Sequence, residues 1–313
     1  MCFEVASSEI PPKAGLTYGG KMKKVIVGLS IMIGLAGFVS ESFAVKVIQV
    51  KGSDTLINVA QRLSEVYMEK NPGKMIAVTG GGSGTGVAAL INKACDIANA
   101  SRSIKDTEVA QAVANGVDVK RVVVAIDALS VIVNEGNSIK DLTLEDIAKL
   151  YRGEIKNWKD LGGEDRPVTL YGRQPNSGTY DFMKENVLKA EYSGKMNQMN
   201  GNAQIVEAVK QDKGGIGYVG LGYLKEATGI AVVKVAIKAG GTYIDPLNIT
   251  DVKTGKYPIT RALNQYVNGI PKGDVLDFIR FELSDEGQKI VEEEGFMPLN
   301  EEYQNLNSWV NQY

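Results

Sequence analysis

There is no histidine among the 313 residues. That absence removes the general base of Ser-His-Asp and Cys-His catalysis, together with the commonest zinc ligand. Cysteine is nearly missing as well, with Cys2 and Cys95 the whole supply. Cys2 falls in a stretch expected to be removed, so Cys95 is left without a partner and no intramolecular disulfide is expected. Its flanks, "INKACDIANA", are those of a packed thiol at the entry to a buried strand rather than of a nucleophile. Neither sign of charge is in excess: 35 Lys and Arg stand against 37 Asp and Glu. Bulk charge offers nothing to a nucleic acid, so none is expected as a partner and any anion site must be local. The sequence carries no internal repeat, no long low-complexity linker and no cluster of metal-ligand residues. No metal, cofactor or catalytic residue is expected.

Long apolar runs are scarce. The run at residues 25–38 is shorter than the ~20 residues a bilayer needs. Lys21, Lys23 and Lys24 precede it, and Ser42-Phe43-Ala44 puts small residues where a signal peptidase reads. Residues 22–44 are therefore expected to be a secretory signal. In "LAGF", Phe38 stands where a lipoprotein carries its lipidated cysteine, so no lipid anchor is expected. Residues 1–21 precede the signal and are expected to be a mis-assigned extension, with Met22 the true start. The codons of Tyr18-Gly19-Gly20-Lys21 can hold a ribosome-binding site. The exported chain would be residues 45–313; losing four lysines and three acids takes the net charge from −2 to −3. That length suits one large or two medium domains.

What is present is an alternation of short β-rich runs and amphipathic helices, the pattern of an α/β fold. "VKVIQVKG" reads as a strand. It is followed by a helix with Leu56, Val59, Ala60, Leu63, Val66 and Tyr67 on one face, stopped at Asn71-Pro72-Gly73. "KMIAVTG", "CDIANAS" and "RPVTLYGR" are further strands; "TGVAALINKA", "DTEVAQAVANG", "LTLEDIAKLYRG", "TYDFMKENVLKA" and "AQIVEAVKQDKG" are helices. The β run at 119–134 is too long for one strand of a small sheet and suits a chain leaving one domain for another. "GGIGYVGLGYL" is a candidate for the return crossing. Near the C-terminus "DVLDFIRFELS" is a helix, and a last one starts at the N-cap Ser284 and stops at Gly295. The final residues, "EEYQNLNSWVNQY", are left either packed as a last helix or loose. Two crossings imply two lobes with a cleft between them: lobe I from 45–127 and 221–313, lobe II from 128–220.

Three polar motifs each follow an expected strand and open an expected helix: "GSDTL" (52–56), "GGGSGTG" (80–86) and "RQPNSGTY" (173–180). Each offers hydroxyls and backbone N–H groups at a helix start, where the first amides lack internal partners and the dipole is positive. Three such ends together would make an anion site at the carboxyl ends of the strands. On this reading the glycines of 80–86 are bare so that backbone can approach an oxyanion; the alternative is a tight turn with Ser83 and Thr85 as caps. The loop lacks the Gly-Lys-Ser/Thr ending of a nucleotide P-loop, and its match to a dinucleotide fingerprint is loose. Arg173 is the cation whose fork can face the same anion as Ser177, Gly178 and Thr179. Ser101, Arg102 and Ser103 add donors at another strand end, or Ser103 forms a capping box with Asp106. Asp54, beside Ser53, is the natural candidate to accept a hydrogen bond from a protonated anion, which fully ionised sulfate cannot give; the alternative is a cap on the helix that follows, and the two roles can coexist.

With these residues in hand, the chain resembles the periplasmic phosphate-binding proteins of ABC-type phosphate importers, over about residues 47–299. "GSDTL", "GGGSGTG", "DIANASR", "LTLEDIAKLYRGEIKNWKDLGG", "RQPNSGT", "GIGYVG" and "LSDEGQKIVEEEGFMPL" carry the resemblance, in order. It implies a type II periplasmic-binding-protein fold: two α/β lobes joined by two hinge crossings, closing on inorganic phosphate. It implies a monomeric, non-enzymatic periplasmic receptor that serves the permease and ATPase subunits of an importer. By position Thr55 and Leu56 would give hydroxyl and backbone contacts, Ser83 would donate from the glycine loop, and Arg173, Ser177, Gly178 and Thr179 would clamp from the second lobe. One departure stands out. Where members of the family carry an acceptor aspartate, this chain has Ser101 followed by Arg102. Asp54 is then expected to take the acceptor role, with Arg102 either touching phosphate or neutralising Asp54. Alternatives are a receptor for sulfate, molybdate or tungstate, and, less favoured, a phosphatase or serine hydrolase using Ser83 or Ser177.

Overall fold

The computed structural model describes residues 46–313. The extension and the signal expected at 1–44 lie outside the described residues. Among the described residues no helix is long and apolar enough to cross a membrane.

The first lobe starts with β1 (Val47–Gly52), α1 (Ile57–Lys70), β2 (Met75–Thr79) and α2 (Ser83–Ile91). It continues through β3 (Ile97–Ala100), α3 (Asp106–Ala114) and β4 (Val119–Ala128). β1 runs parallel to β2 and β3, so all three strands end at the same edge of the sheet. The long β run breaks at Leu129, and β5 (Ser130–Asn134) belongs to a second sheet. The second lobe follows with β6 (Asp141–Thr143), α4 (Leu144–Arg152), β7 (Thr169–Arg173), α5 (Gly178–Met183) and β8 (Asn197–Met199). Then come α6 (Asn202–Gln211), β9 (Gly215–Val219), β10 (Ile230–Val232), β11 (Lys234–Ala236) and α7 (Ile249–Lys253). The chain returns to the first sheet as β12 (Thr260–Asn268) and closes with α8 (Asp274–Leu283), α9 (Asp285–Glu293) and α10 (Glu301–Leu306).

The sheets are ordered β2-β1-β3-β12-β4 and β10-β5-β9-β7-β8. Each has a core of its own. Leu56, Leu63, Tyr67, Ile97 and Phe278 pack in the first lobe; Leu150, Tyr151, Trp158, Met183 and Tyr218 pack in the second. Full burial of such large side chains stabilises by about 1.5–3 kcal/mol each. Local signals hold where they are chemically explicit. Thr143 Oγ1 accepts from Asp146 N at 3.1 Å, Asp146 Oδ2 accepts from Thr143 N at 3.0 Å, and α4 ends at left-handed Gly153. Ser284 caps α9 by accepting from Gly287 N at 3.2 Å. The C-terminal residues pack rather than trail: Val310 is buried and Asn307 bonds both the amide and the carbonyl of Val123.

The second crossing differs from the expected break at 220/221. β9 lies in the interior of the second sheet, β10 pairs with β5 and β11 with β6. The return comes at residues 257–259, beside the outgoing crossing, with Leu129 N donating to Ile259 O at 2.9 Å and Tyr257 Oη to Leu129 O at 2.9 Å. The glycine-laced run is not a crossing; its glycines make room for a helix packed on the sheet. A Cβ at Gly217 would strike the side chain of Ile205 on α6. Valines 233 and 235 then tie the next segment to the second core. A buried ion pair marks the paired crossings: Asp127 Oδ2 accepts from Arg261 Nε at 3.0 Å and Nη2 at 2.7 Å, while Asp127 Oδ1 accepts from Leu221 N at 2.8 Å.

Candidate functional site

β1, β2 and β3 deliver the loops that carry Ser53 to Leu56, Gly80 to Ser83 and Ser101 to one edge of the first sheet. β7 delivers Arg173 and the start of α5 from the second. The two edges meet, and the hydroxyls converge. Ser53 Oγ donates to Ser101 Oγ at 3.0 Å, and Ser83 Oγ accepts from Ser101 N at 3.0 Å. Thr55 Oγ1 lies 2.8 Å from Thr179 Oγ1, and Ser101 Oγ lies 3.3 Å from the same atom. All five residues are buried. Ser177 is the N-cap of α5, its Oγ accepting from Thr179 N at 3.2 Å. The remaining position is less direct: Leu56 buries its side chain in the first core, and its N–H donates to Ser53 O at 3.1 Å.

Arg173 is 2% exposed and held on several sides. Its backbone N donates to Tyr218 Oη at 3.1 Å, Nε to Met199 O at 3.3 Å and Nη2 to Asn200 O at 2.7 Å. Burial pushes the Tyr218 phenol up to about 12, so it stays a neutral partner. Nη2 also makes an ion pair with Asp54 across the lobes. Nη1 is buried and has no hydrogen-bond partner among the described residues. A buried cationic nitrogen without a partner is costly, which favours an anion as its partner.

Asp54 does not cap α1, whose N-cap is Leu56. Its Oδ1 accepts from Gly81 N at 2.7 Å, which fixes the glycine loop, and Oδ2 faces Arg173. A carboxylate has about four lone-pair directions, so these two partners leave acceptor capacity. The Tyr223 phenol, pushed up to about 12 by burial and then by Asp54, donates to Asp54 O at 2.5 Å.

Arg102 goes elsewhere. It neither joins the hydroxyls nor neutralises Asp54. Its Nη1 and Nη2 donate to Glu108 Oε2 and Oε1 at 2.8 and 2.6 Å, a bidentate fork. Burial raises the pKa of Glu108, but the Arg102 hydrogen bonds and the Lys105 amide outweigh it and hold the carboxyl below its ordinary value. Ser103 forms no capping box with Asp106: the helix starts two residues later than that box requires, with Lys105 at the N-cap and its N–H donating to Glu108 Oε2 at 2.9 Å.

The bare glycine loop has a further reason. Gly82 sits at φ +90, and a Cβ there would lie 2.5 Å from Asn176 O of the other lobe. Asn176 O accepts from Gly84 N at 3.0 Å, and Asn176 Nδ2 donates to Gly81 O at 2.8 Å. The loop is stripped so that the facing lobe can seat against it. Asn176 stands inside "RQPNSGTY" without having been singled out; its signal was its place beside Ser177. Tyr223 and the carbonyls of Met199 and Asn200 carried no sequence signal. Cys95 is half-buried, and burial pushes its thiol up to about 11, leaving little thiolate near neutrality.

A model of the PBP superfamily domain matches residues 39–286. The chain is 34% identical over 267 residues to the phosphate-binding protein PstS of Pseudomonas aeruginosa, covering 79% of this chain and 81% of that one. It is 30% identical over 259 residues to the phosphate-binding protein PstS of Bacillus subtilis, covering 80% of each. A crystal structure of a phosphate ABC transporter substrate-binding protein from Clostridium perfringens, with phosphate bound, superposes with a TM-score of 0.73 at 27% identity, covering 82% of this chain and all of that one. With two α/β lobes meeting on such a cluster, the chain belongs to the PBP superfamily and, within it, to the family of PstS phosphate-binding proteins.

Proposed function

We propose that this protein is an exported receptor that captures inorganic phosphate between its lobes and delivers it to an ABC-type import permease. The observation that carries the reading is the meeting of hydroxyls from both lobes beside a buried guanidinium. Thr55, Ser83 and Ser101 come from the first lobe, Thr179 and Arg173 from the second. Ser53 and Ser177 orient these groups, and Gly178 lets the lobes approach. Such an array of donors, held together by the fold, suits a tetrahedral oxyanion once the hydroxyls turn from one another to it, and lobe closure traps it. Asp54 is the acceptor placed to favour a protonated phosphate over sulfate. No step of chemistry is required of any residue: the hydroxyls bond one another, and the chain has no histidine to activate them.

The test is calorimetric titration with phosphate and then sulfate, after bound anion has been stripped. One-to-one binding of phosphate with none of sulfate is expected. Preference for sulfate or molybdate would move the assignment to another oxyanion. Turnover of p-nitrophenyl phosphate would move it to an enzyme.

A further inference from the structure

Away from the hydroxyl cluster, four charged side chains meet across the edge of the cleft. Three belong to the first lobe. Arg102 is locked in its fork with Glu108 and also donates from Nη1 to Ser103 O at 2.9 Å. Glu108 is fixed in turn by the Lys105 amide. Because these partners share one lobe, the fork persists when the lobes separate. The fourth group is Asp181, on α5 of the second lobe. Arg102 Nε lies 2.9 Å from Asp181 Oδ2, as an ion pair off the N–H axis. Lys105 Nζ reaches the same oxygen at 2.8 Å. Among the described residues, the cations within ion-pair distance of Asp181 all come from the facing lobe.

We propose that Asp181 is the movable half of an interlobe latch, that Arg102 and Lys105 are its fixed half, and that the latch holds the lobes closed over the bound anion. The proposal rests on the capture reading above. Its physical basis is charge and position. With the lobes apart, the first carries a surplus positive charge from Arg102, Lys105 and Glu108 taken together, and the second an unpaired Asp181. Closure cancels both. Arg102 is 5% exposed and Asp181 9%, so their attraction is less screened than that of a surface pair. Asp181 lies one turn into the helix that begins with Gly178 and Thr179, and its N donates to Ser177 O at 3.1 Å. Pulling Asp181 toward Arg102 therefore seats the start of α5 against Ser83 and Ser101. The cation at position 102 is accounted for as well: it grips the opposite lobe, not the anion. Asp181 is a positioning residue, acting through α5.

The experiment combines stopped-flow phosphate binding with small-angle scattering on wild type, Asp181→Asn, Lys105→Gln and the double variant. Losing one partner of a buried charge pair acts mainly on dissociation, so Asp181→Asn should speed phosphate release about tenfold or more while changing association less than about threefold. Lys105→Gln should speed release about two- to threefold at low salt, an effect that fades with added salt. In the Asp181→Asn background the Lys105 effect should vanish, which a residue that only stabilises α5 would not produce. Unchanged release from Asp181→Asn, or additive effects in the double variant, overturns the latch. Should Asp181→Asn fail to fold, the exposed Lys105→Gln carries the test, and unchanged release at low salt overturns it. Should the wild type bind no phosphate, the functional reading fails and the latch is judged by scattering alone. Asp181→Asn should then be more extended than wild type, and identical profiles overturn the latch.

Discussion

A methyl group added at Gly178 would probe the closed site where the lobes are nearest. The glycine begins α5 with ordinary helical backbone, so alanine is conformationally acceptable there. Its Cβ, however, would overlap Ser83 Oγ and lie 2.9 Å from both Ser101 Oγ and Ser83 Cβ. Carbon atoms rest near 3.5–4 Å, so the lobes would have to back away by about 1 Å. Such a shift breaks the 2.8 Å contact between Thr55 and Thr179 and disturbs every donor pair across the cleft. Overpacking of this kind costs about 1–3 kcal/mol, which corresponds to phosphate binding weakened about 5- to 150-fold. The phosphate-free protein can relieve the clash by opening, and alanine suits a helix better than glycine by up to ~1 kcal/mol. Its unfolding temperature should hold or rise slightly. Calorimetric titration with phosphate and thermal unfolding in anion-free buffer read the two quantities separately. Affinity within about twofold of wild type would refute the close-approach argument; a large loss of stability would show that the clash is not relieved by opening.

Other outcomes follow from the same geometry. Asp54→Asn keeps an acceptor for Gly81 N but removes the charge facing Arg173, so selectivity for phosphate over sulfate should fall by about tenfold; competition titration with an unchanged ratio would sink the acceptor role. Asp127→Ala leaves Arg261 buried and unpaired, and should cost about 3–5 kcal/mol in urea unfolding, less if Arg261→Met is added. Glu282 is buried against Gln265, and burial pushes its pKa up to about 8. The folded state then keeps a proton that the unfolded chain releases from about pH 4.3 upward, so this group's contribution to stability falls as pH rises to about 8 and levels off beyond, by at most about 1.4 kcal/mol per pH unit. Glu282→Gln removes that slope. Its advantage over wild type should grow between pH 5 and 8, and a pH-independent difference would contradict the assignment.

Much of this was legible in the residues themselves. Alternation of apolar runs fixed the α/β class, because side-chain periodicity is a property of local backbone. Thr143 with Asp146, and Ser284 with Gly287, show caps written in a few consecutive residues. "GSDTL", "GGGSGTG" and "RQPNSGTY" announced strand-to-helix turns rich in donors, and the structure brings Thr55, Ser83, Ser101, Arg173 and Thr179 together. What consecutive residues cannot carry is partnership across lobes. Arg102 looked like an anion ligand because it follows Ser101, yet its fork turns to Glu108 and Asp181. Asp54 could be read as an anion acceptor or as a cap, yet its partners, Gly81 and Arg173, come from other segments. The second crossing was misplaced because β10 and β11 are three residues each, too short for periodicity to reveal which sheet they join. Local pattern thus determined the elements and the kinds of groups at their ends. Only the tertiary fold decided which charges meet, since ion pairs such as Arg173 with Asp54, or Arg102 with Asp181, join segments separated by most of a lobe and exist only when two independently packed cores close on each other.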